Sequence, residues 1–230
     1  MNNNDKVLLI TGASSGIGAA TARAAAQEGY RLAVCARSED KLGALVEEIG
    51  SDQAFAVRCD VTDFADQQRM VEAVLGHYGQ LDAAFANAGT GGEPGGFSSA
   101  PVESWQKMVE VNILGVAYTL RATLGELKKS RGHVVLTGSV AGRRTLAGSM
   151  YSATKWAVSA IGYGLREEIK GSGVRVTLIE PGMVDTPFFD EPKPDALTPD
   201  DIARAVIYAL GQPASVDVHE LMVLPTPPLE

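Results

Sequence analysis

Tyr151 and Lys155 stand four residues apart in a run that reads as helix, so their side chains share one face. A phenol titrates near ~10 and is a poor base at neutral pH. A neighbouring ammonium and the positive end of a helix would both favour the phenolate and lower that value. Such a phenol could give a proton to a carbonyl under reduction, or take one from an alcohol under oxidation. Twelve residues upstream, Ser139 closes Leu136-Thr137-Gly138-Ser139. Its hydroxyl could bind the same oxygen and steady the charge developing there. Thr137 competes for that task.

A second group of residues is shaped for phosphate. Thr11-Gly12-Ala13-Ser14-Ser15-Gly16-Ile17-Gly18 joins an apolar run to a helical one. Glycines there allow a tight turn, close approach of a pyrophosphate and close helix–strand packing. The free amides and the dipole of the helix start favour an anion. A dinucleotide is therefore expected, with a glycine-rich turn that binds nothing as the alternative. The next apolar run ends Cys35-Ala36-Arg37-Ser38. An acidic residue at the end of that strand would hold ribose hydroxyls, but none stands at 36 or 37. Arg37 instead offers a fixed fork of donors to a 2′-phosphate, with Ser14 placed to help. NADP(H) is expected rather than NAD(H). Glu39 and Asp40 weigh against it, and a solvated Arg37 with use of either cofactor is the alternative.

The elements that must position these groups follow from the apolar pattern. Strands are expected at 7–10, 32–35, 54–57, 81–86, 133–136, 174–179 and 218–224. Helices are expected at 16–28, 39–49, 63–77, 101–129, 149–170 and from Pro199 to 210. Continuous apolar strands alternating with helices mark a parallel sheet covered on both faces. The fold class expected is α/β, a Rossmann-like doubly wound parallel sheet of about seven strands, order 3-2-1-4-5-6-7. A single domain over 1–230 leaves no separate substrate domain.

Five ordered motifs, Thr11-Gly12-x-x-x-Gly16-x-Gly18, Asn87-Ala88-Gly89, Ser139, Tyr151-Ser152-Ala153-Thr154-Lys155 and Pro181-Gly182, resemble the short-chain dehydrogenase/reductase family over almost the whole chain. The resemblance implies an NADP(H)-dependent oxidoreductase that interconverts a carbonyl and an alcohol. In it Tyr151 is the acid/base, Lys155 tunes it and holds the nicotinamide ribose, and Ser139 orients the substrate oxygen. It implies that Asn112, polar within the apolar helical run 109–116, holds a water joining Lys155 to solvent, through its side chain or a distorted turn. Asp60 and the Val61 backbone would meet the adenine. Asp60 alternatively caps a helix, with Thr62 and Asp63 beside it. Ala86 replaces an asparagine that usually precedes Asn87. Thr186 would contact the carboxamide or phosphates. The Ser139–Tyr151 interval is one residue shorter than the family most often has, so the loop 142–148 is expected to differ in shape.

Residues 185–195 should form a lid, with Pro187, Phe188 and Phe189 either on its inner face or in ordinary core packing. Leu146, Met150 and Met183 are candidates to line the same pocket. Arg143 and Arg144 either meet an anionic substrate or face solvent. Gly91-Gly92-Glu93-Pro94-Gly95-Gly96 follows the fourth strand and is expected to set access. Ile179-Glu180-Pro181-Gly182, Leu197-Thr198-Pro199-Asp200-Asp201-Ile202 and the ending 216–224 more weakly resemble bacterial NADP-dependent 3-hydroxy acid and serine dehydrogenases. The helices 101–129 and 149–170, with Trp105 and Trp156, are the family's usual subunit contact, so a homodimer or homotetramer is expected.

Composition narrows the classes. With 20 basic and 28 acidic side chains the net charge is −8, against a nucleic-acid partner. No apolar run approaches the ~20 residues of a membrane span. The start Met1-Asn2-Asn3-Asn4-Asp5-Lys6 is polar, and a cytoplasmic chain is expected. His77, His133 and His219 have no ligand spacing, so no metal is expected. A Ser–His–acid hydrolase would need a histidine near a G-x-S-x-G elbow, and none is present. Cys35 and Cys59 are read as reduced thiols on adjacent strands. A cofactor-binding sensor without catalysis is the rival class, disfavoured because Asn112, Ser139, Tyr151 and Lys155 are all present.

Overall fold

The computed structural model describes residues 6–226; the polar start 1–5 and Pro227-Pro228 of the tail lie outside them. The strands are β1 (Val7–Thr11), β2 (Arg31–Ala36), β3 (Ala54–Arg58), β4 (Ala83–Ala86), β5 (His133–Thr137), β6 (Arg175–Pro181) and β7 (Glu220–Val223). They form one parallel sheet in the order β3-β2-β1-β4-β5-β6-β7, as expected from the sequence.

Every residue of β1 is buried, because both faces of the sheet are covered. Alternate side chains go to opposite sides. Val7 and Leu9 pack with Met70, Leu127 and Val158 of helices α3 (Phe64–Tyr78), α6 (Gly115–Ser130) and α7 (Met150–Glu168). Leu8 and Ile10 pack with Ala22, Leu42 and Ile202 of α1 (Gly16–Gln27), α2 (Glu39–Ile49) and α8 (Pro199–Leu210). Caps set the helix starts. Asp63 accepts from Ala65 N at 2.8 Å to open α3. Thr198 and Asp201 form a reciprocal capping box at α8.

The expected helix 101–129 is interrupted. It runs as α5 (Val102–Val109), a π turn over Glu110–Leu114, and α6. The wider turn carries Asn112, 1% exposed, to partners inside the fold, and π turns of this kind mark places where a side chain must leave the regular ladder. A short helix, α4 (Gly96–Ser99), forms within the glycine-rich segment after β4. Helical periodicity could not reveal one turn in so glycine-rich a stretch. Both cysteines are buried and free. No described helix is long and apolar enough to cross a membrane.

His133 opens β5, buried, with Nε2 2.8 Å from the Thr177 hydroxyl. Burial pushes its pKa down to about 3. In the unfolded chain a histidine titrates near ~6.5. Below that value the unfolded state binds the extra proton and the folded state does not, so stability falls as pH falls toward 3. Urea unfolding between those values should show wild type losing stability more steeply than His133→Gln; parallel curves would refute the linkage.

Candidate active site

The carboxyl ends of the strands open into a cleft of about 360 Å³. On the side of β1 it is lined by Gly12, Ser14, Ser15, Gly16 and Ile17. Arg37, Asp60 and Val61 line it beside β2 and β3, and Asn87, Ala88 and Gly89 beyond β4. Ser139, Tyr151 and Lys155 line it beyond β5, and Pro181, Gly182 and Thr186 beyond β6. Two predicted site residues stand behind the wall. Gly18 packs against the loop, where a Cβ would come within 2.3 Å of the Gly12 carbonyl oxygen. Asn112 is buried beneath the loop that follows Gly89.

Chain geometry explains the phosphate loop. Gly12 has φ +67°, and a Cβ there would sit 2.8 Å from Ala88 Cα. The loop therefore needs glycine both for its conformation and for its approach to β4. Ser15 precedes α1 without capping it, and the first turn of α1 carries no acidic residue. Its amides and positive dipole end are thus left to the cleft. Arg37 is exposed and makes no ion pair among the described residues. Glu39 is turned away to Arg58 at 3.4 Å. Asp60 serves the turn as well as the cleft. Its Oδ1 accepts from Thr62 N at 3.0 Å and Thr62 Oγ1 at 2.8 Å, while Asp63 is the cap of α3.

The start of α7 is fixed by Ser149, whose hydroxyl accepts from Ser152 N at 3.0 Å. Ser152 Oγ then donates to the Ala141 carbonyl at 2.5 Å, tying α7 to the 3₁₀ turn Val140–Gly142 that Ser139 caps. A Cβ at Gly142 would lie 2.7 Å from the Lys155 carbonyl oxygen, so only glycine lets the two approach. The short 142–148 loop still brings the Ser139 hydroxyl beside the Tyr151 phenol in the cleft, where it favours the phenolate. The Ser139 oxygen also accepts from Ala141 N at 3.1 Å. Thr137 is committed elsewhere, donating to Asn87 Oδ1 at 3.1 Å.

The expected lowering of the Tyr151 pKa by Lys155 and the helix end is not found. Burial pushes the phenol up to about 12, against which the Ser139 hydroxyl acts. Lys155 Nζ donates to the Thr137 carbonyl at 2.8 Å and lies 5.8 Å from the Tyr151 ring centroid. Burial pushes its own pKa down to about 8. Asn112 acts as a clamp. Its amide donates to the Thr90 carbonyl at 2.9 Å and to Thr154 Oγ1 at 3.1 Å, and its oxygen accepts from Thr90 N at 2.8 Å. The distorted turn read from the sequence is present.

The segment 185–195 is tied at its base by Asp185 N donating to Leu197 O at 2.8 Å and Leu197 N donating to Met183 O at 3.0 Å. Phe188 lies on Tyr151, ring centroids 5.6 Å apart, and on Phe189 at 5.2 Å. A Cβ at Gly91 would meet the Phe188 ring at 3.0 Å. Pro187, Phe188 and Phe189 thus line the cleft. Leu146, Met150 and Met183 do not line the cleft, and Leu146 and Met183 are half-exposed. Arg143 is engaged with Glu180 at 2.6 Å and Glu220 at 2.8 Å, and Arg144 is exposed. Sequence reasoning missed Ser38, Cys59, Thr90, Lys107, Val111 and Val184 as lining residues. Lys107 and Val111 are four apart on one helical face, a signal readable once that face is known to border the cleft.

The family model for short chain dehydrogenases matches residues 6–196. The chain belongs to that family. An uncharacterized oxidoreductase of Staphylococcus haemolyticus is 40% identical over 227 residues, 96% of this chain and 98% of that one. An alcohol dehydrogenase of the archaeon Thermococcus sibiricus, complexed with 5-hydroxy-NADP, superposes with TM-score 0.90 at 37% identity, covering 98% of this chain and 99% of that one. Serine dehydrogenase from Escherichia coli gives 0.88 at 32%, covering 95% and 97%. The chain is thus an oxidoreductase of the short-chain dehydrogenase family. The uncapped start of α1 and the glycine cradle fit the pyrophosphate of a nicotinamide cofactor.

Lys155 should titrate near 8 in the cofactor-free protein, followed by NMR on isotope-labelled lysine with Lys155→Met for assignment. Between about 8 and 10.5 the folded chain binds fewer protons at this site than the unfolded one, so stability rises with pH across that window. An ordinary lysine value would mean that the ammonium is solvated.

Proposed function

We propose that the protein is an NADP(H)-dependent reductase or dehydrogenase that moves hydride between the cofactor and the carbon of a carbonyl or alcohol. The observation that carries this is the Ser139–Tyr151 hydroxyl pair beside the Lys155 ammonium, in the same cleft as the glycine loop and Arg37. The bound nicotinamide supplies the hydride. Tyr151 donates the phenol proton to the carbonyl oxygen, and its high pKa in the free chain keeps that proton available at neutral pH. Ser139 orients the same oxygen and offers it a hydrogen bond. Lys155 holds the nicotinamide ribose and supplies positive charge against the phenolate left behind. The π turn around Asn112 leaves backbone carbonyls off the regular ladder, and these hold the water that reconnects Lys155 to solvent.

Arg37 meets the 2′-phosphate, helped by Ser14 and by Ser38, whose side chain makes no capping bond. Asp60, Val61, Asn87, Ala88 and Gly89 line the adenosine and ribose, and Pro181, Gly182 and Thr186 the nicotinamide side. The substrate is an uncharged carbonyl compound. Arg143 is unavailable to an anion, and Phe188 and Phe189 offer the reacting group an apolar wall. A homodimer or homotetramer through α6 and α7 is supported by the half-exposed Trp156.

Tyr151→Phe should abolish turnover, by about a thousandfold or more, while leaving NADPH binding by fluorescence unchanged; substantial remaining activity would reject the role of Tyr151. Arg37→Asp should weaken NADPH binding by about a hundredfold and leave NADH binding nearly untouched. Equal losses for both cofactors, or none, would favour the NAD(H) reading. In a plate assay of NADPH oxidation, neutral ketones and aldehydes should outpace keto acids of the same size.

A further inference from the structure

Glu180 does not line the cleft but joins three segments that do. It is 1% exposed in β6, directly before Pro181-Gly182. Its Oε1 lies 2.6 Å from Nε of Arg143, the residue that closes the 3₁₀ turn capped by Ser139. Ser159, one helical turn after Lys155, is within hydrogen-bonding reach of the same carboxylate and of the Lys155 carbonyl. The guanidinium is held in turn by Glu220 Oε1 at 2.8 Å and lies over the Tyr163 ring, 5.1 Å from its centroid. Gly138 completes the fit. Its N–H donates to the Ile179 carbonyl at 2.7 Å, and a Cβ there would crowd Glu180 Cγ at 3.1 Å.

A buried ion pair is weak evidence for stability, because desolvation offsets its attraction and a well-packed apolar pair would hold the core as well. Arg143 sets one guanidinium at ion-pair distance from two carboxylates, Nε from Glu180 and Nη2 from Glu220, without completing hydrogen bonds from Nη2 or to Glu180 Oε1, so charge attraction is what draws the segments together. Arg143 belongs to the Ser139 turn, and its partners Glu180, Glu220 and Tyr163 belong to the Pro181-Gly182 strand end, to β7 and to the Lys155 helix.

We propose that the Arg143–Glu180 pair is a positioning device that holds the Ser139 turn in register with Pro181-Gly182 and with the Lys155 turn of α7. The pair touches neither substrate nor cofactor and acts through Ser139. This rests on the oxidoreductase reading above, in which Ser139 must meet the substrate oxygen within a fraction of an ångström.

The test uses Glu180→Gln, Arg143→Met, the double variant and Arg143→Lys, with Glu167→Gln as a surface control. Two readouts are taken well below the melting range: hydrogen exchange of the Ala141 and Gly142 amides, which bond to Ser139, and steady-state kinetics with NADPH. Each single variant should speed exchange at 139–143 by roughly tenfold or more. Each should lower kcat by about a hundredfold and leave the KM for NADPH within about twofold. The double variant should be no worse than the worse single, and Arg143→Lys should recover part of kcat. A lower melting temperature with unchanged exchange and unchanged kcat would overturn the proposal and leave a structural ion pair. The exchange readout needs no turnover. If the wild-type chain reduces no carbonyl, the functional reading fails while exchange still decides the positioning claim.

Discussion

The Lys155 ammonium is buried with a backbone carbonyl, that of Thr137, as its hydrogen-bond partner. A buried cation without a carboxylate is costly, and the surrounding chain is arranged to hold it in place. Thr137 donates to Asn87, Asn87 donates to the Thr11 carbonyl at 3.1 Å, and the Thr11 hydroxyl accepts from Asn87 N at 3.1 Å. One line of hydrogen bonds thus runs from the lysine, across the ends of β5, β4 and β1, into the glycine loop. Movement at either end is felt at the other, because every buried polar group along the line would lose its partner.

Asn112 does the same work on the opposite side. Its side chain holds both backbone groups of Thr90 and the hydroxyl of Thr154, three residues after Tyr151 in the same helix. A regular helix would not deliver these bonds, and the π turn is the local cost of reaching them. The loop beyond β4 is therefore pinned at Thr90, while its glycine-rich continuation packs under Phe188 at Gly91 and against Gly148 at Gly96. At Gly96 and Gly148 backbone lies on backbone.

Electrostatics separates the charges near the cleft by task. Arg37 makes no ion pair among the described residues, while Arg143, only four residues past Ser139, is enclosed by Glu180, Glu220 and Tyr163. A guanidinium so held is a structural cation. The two arginines look equivalent as residue types, and only their neighbours distinguish them.

The sheet order and the cleft's principal residues were legible in the sequence because they rest on local rules. Continuous apolar strands demand cover on both faces, a glycine loop between strand and helix leaves amides free, and a Tyr–Lys interval of four shares a helical face. A distorted turn at Asn112 and an apolar segment 185–195 were expected from the sequence; the Asn112 clamp on Thr90 and Thr154, the contact of Phe188 with Tyr151 and the enclosure of Arg143 were not legible. Each depends on which side chain meets which across long intervals, as Glu180 meets Arg143 and Asn112 meets Thr90. The Tyr151 pKa shows the same division. Spacing alone pointed to a lowered value, because it counts the charge nearby. Burial in the folded chain raises it, because desolvation depends on every atom packed around the phenol. Sequence by itself determined the elements and the chemistry available at their ends; tertiary packing decided which charges are solvated, which are paired and which face the cleft.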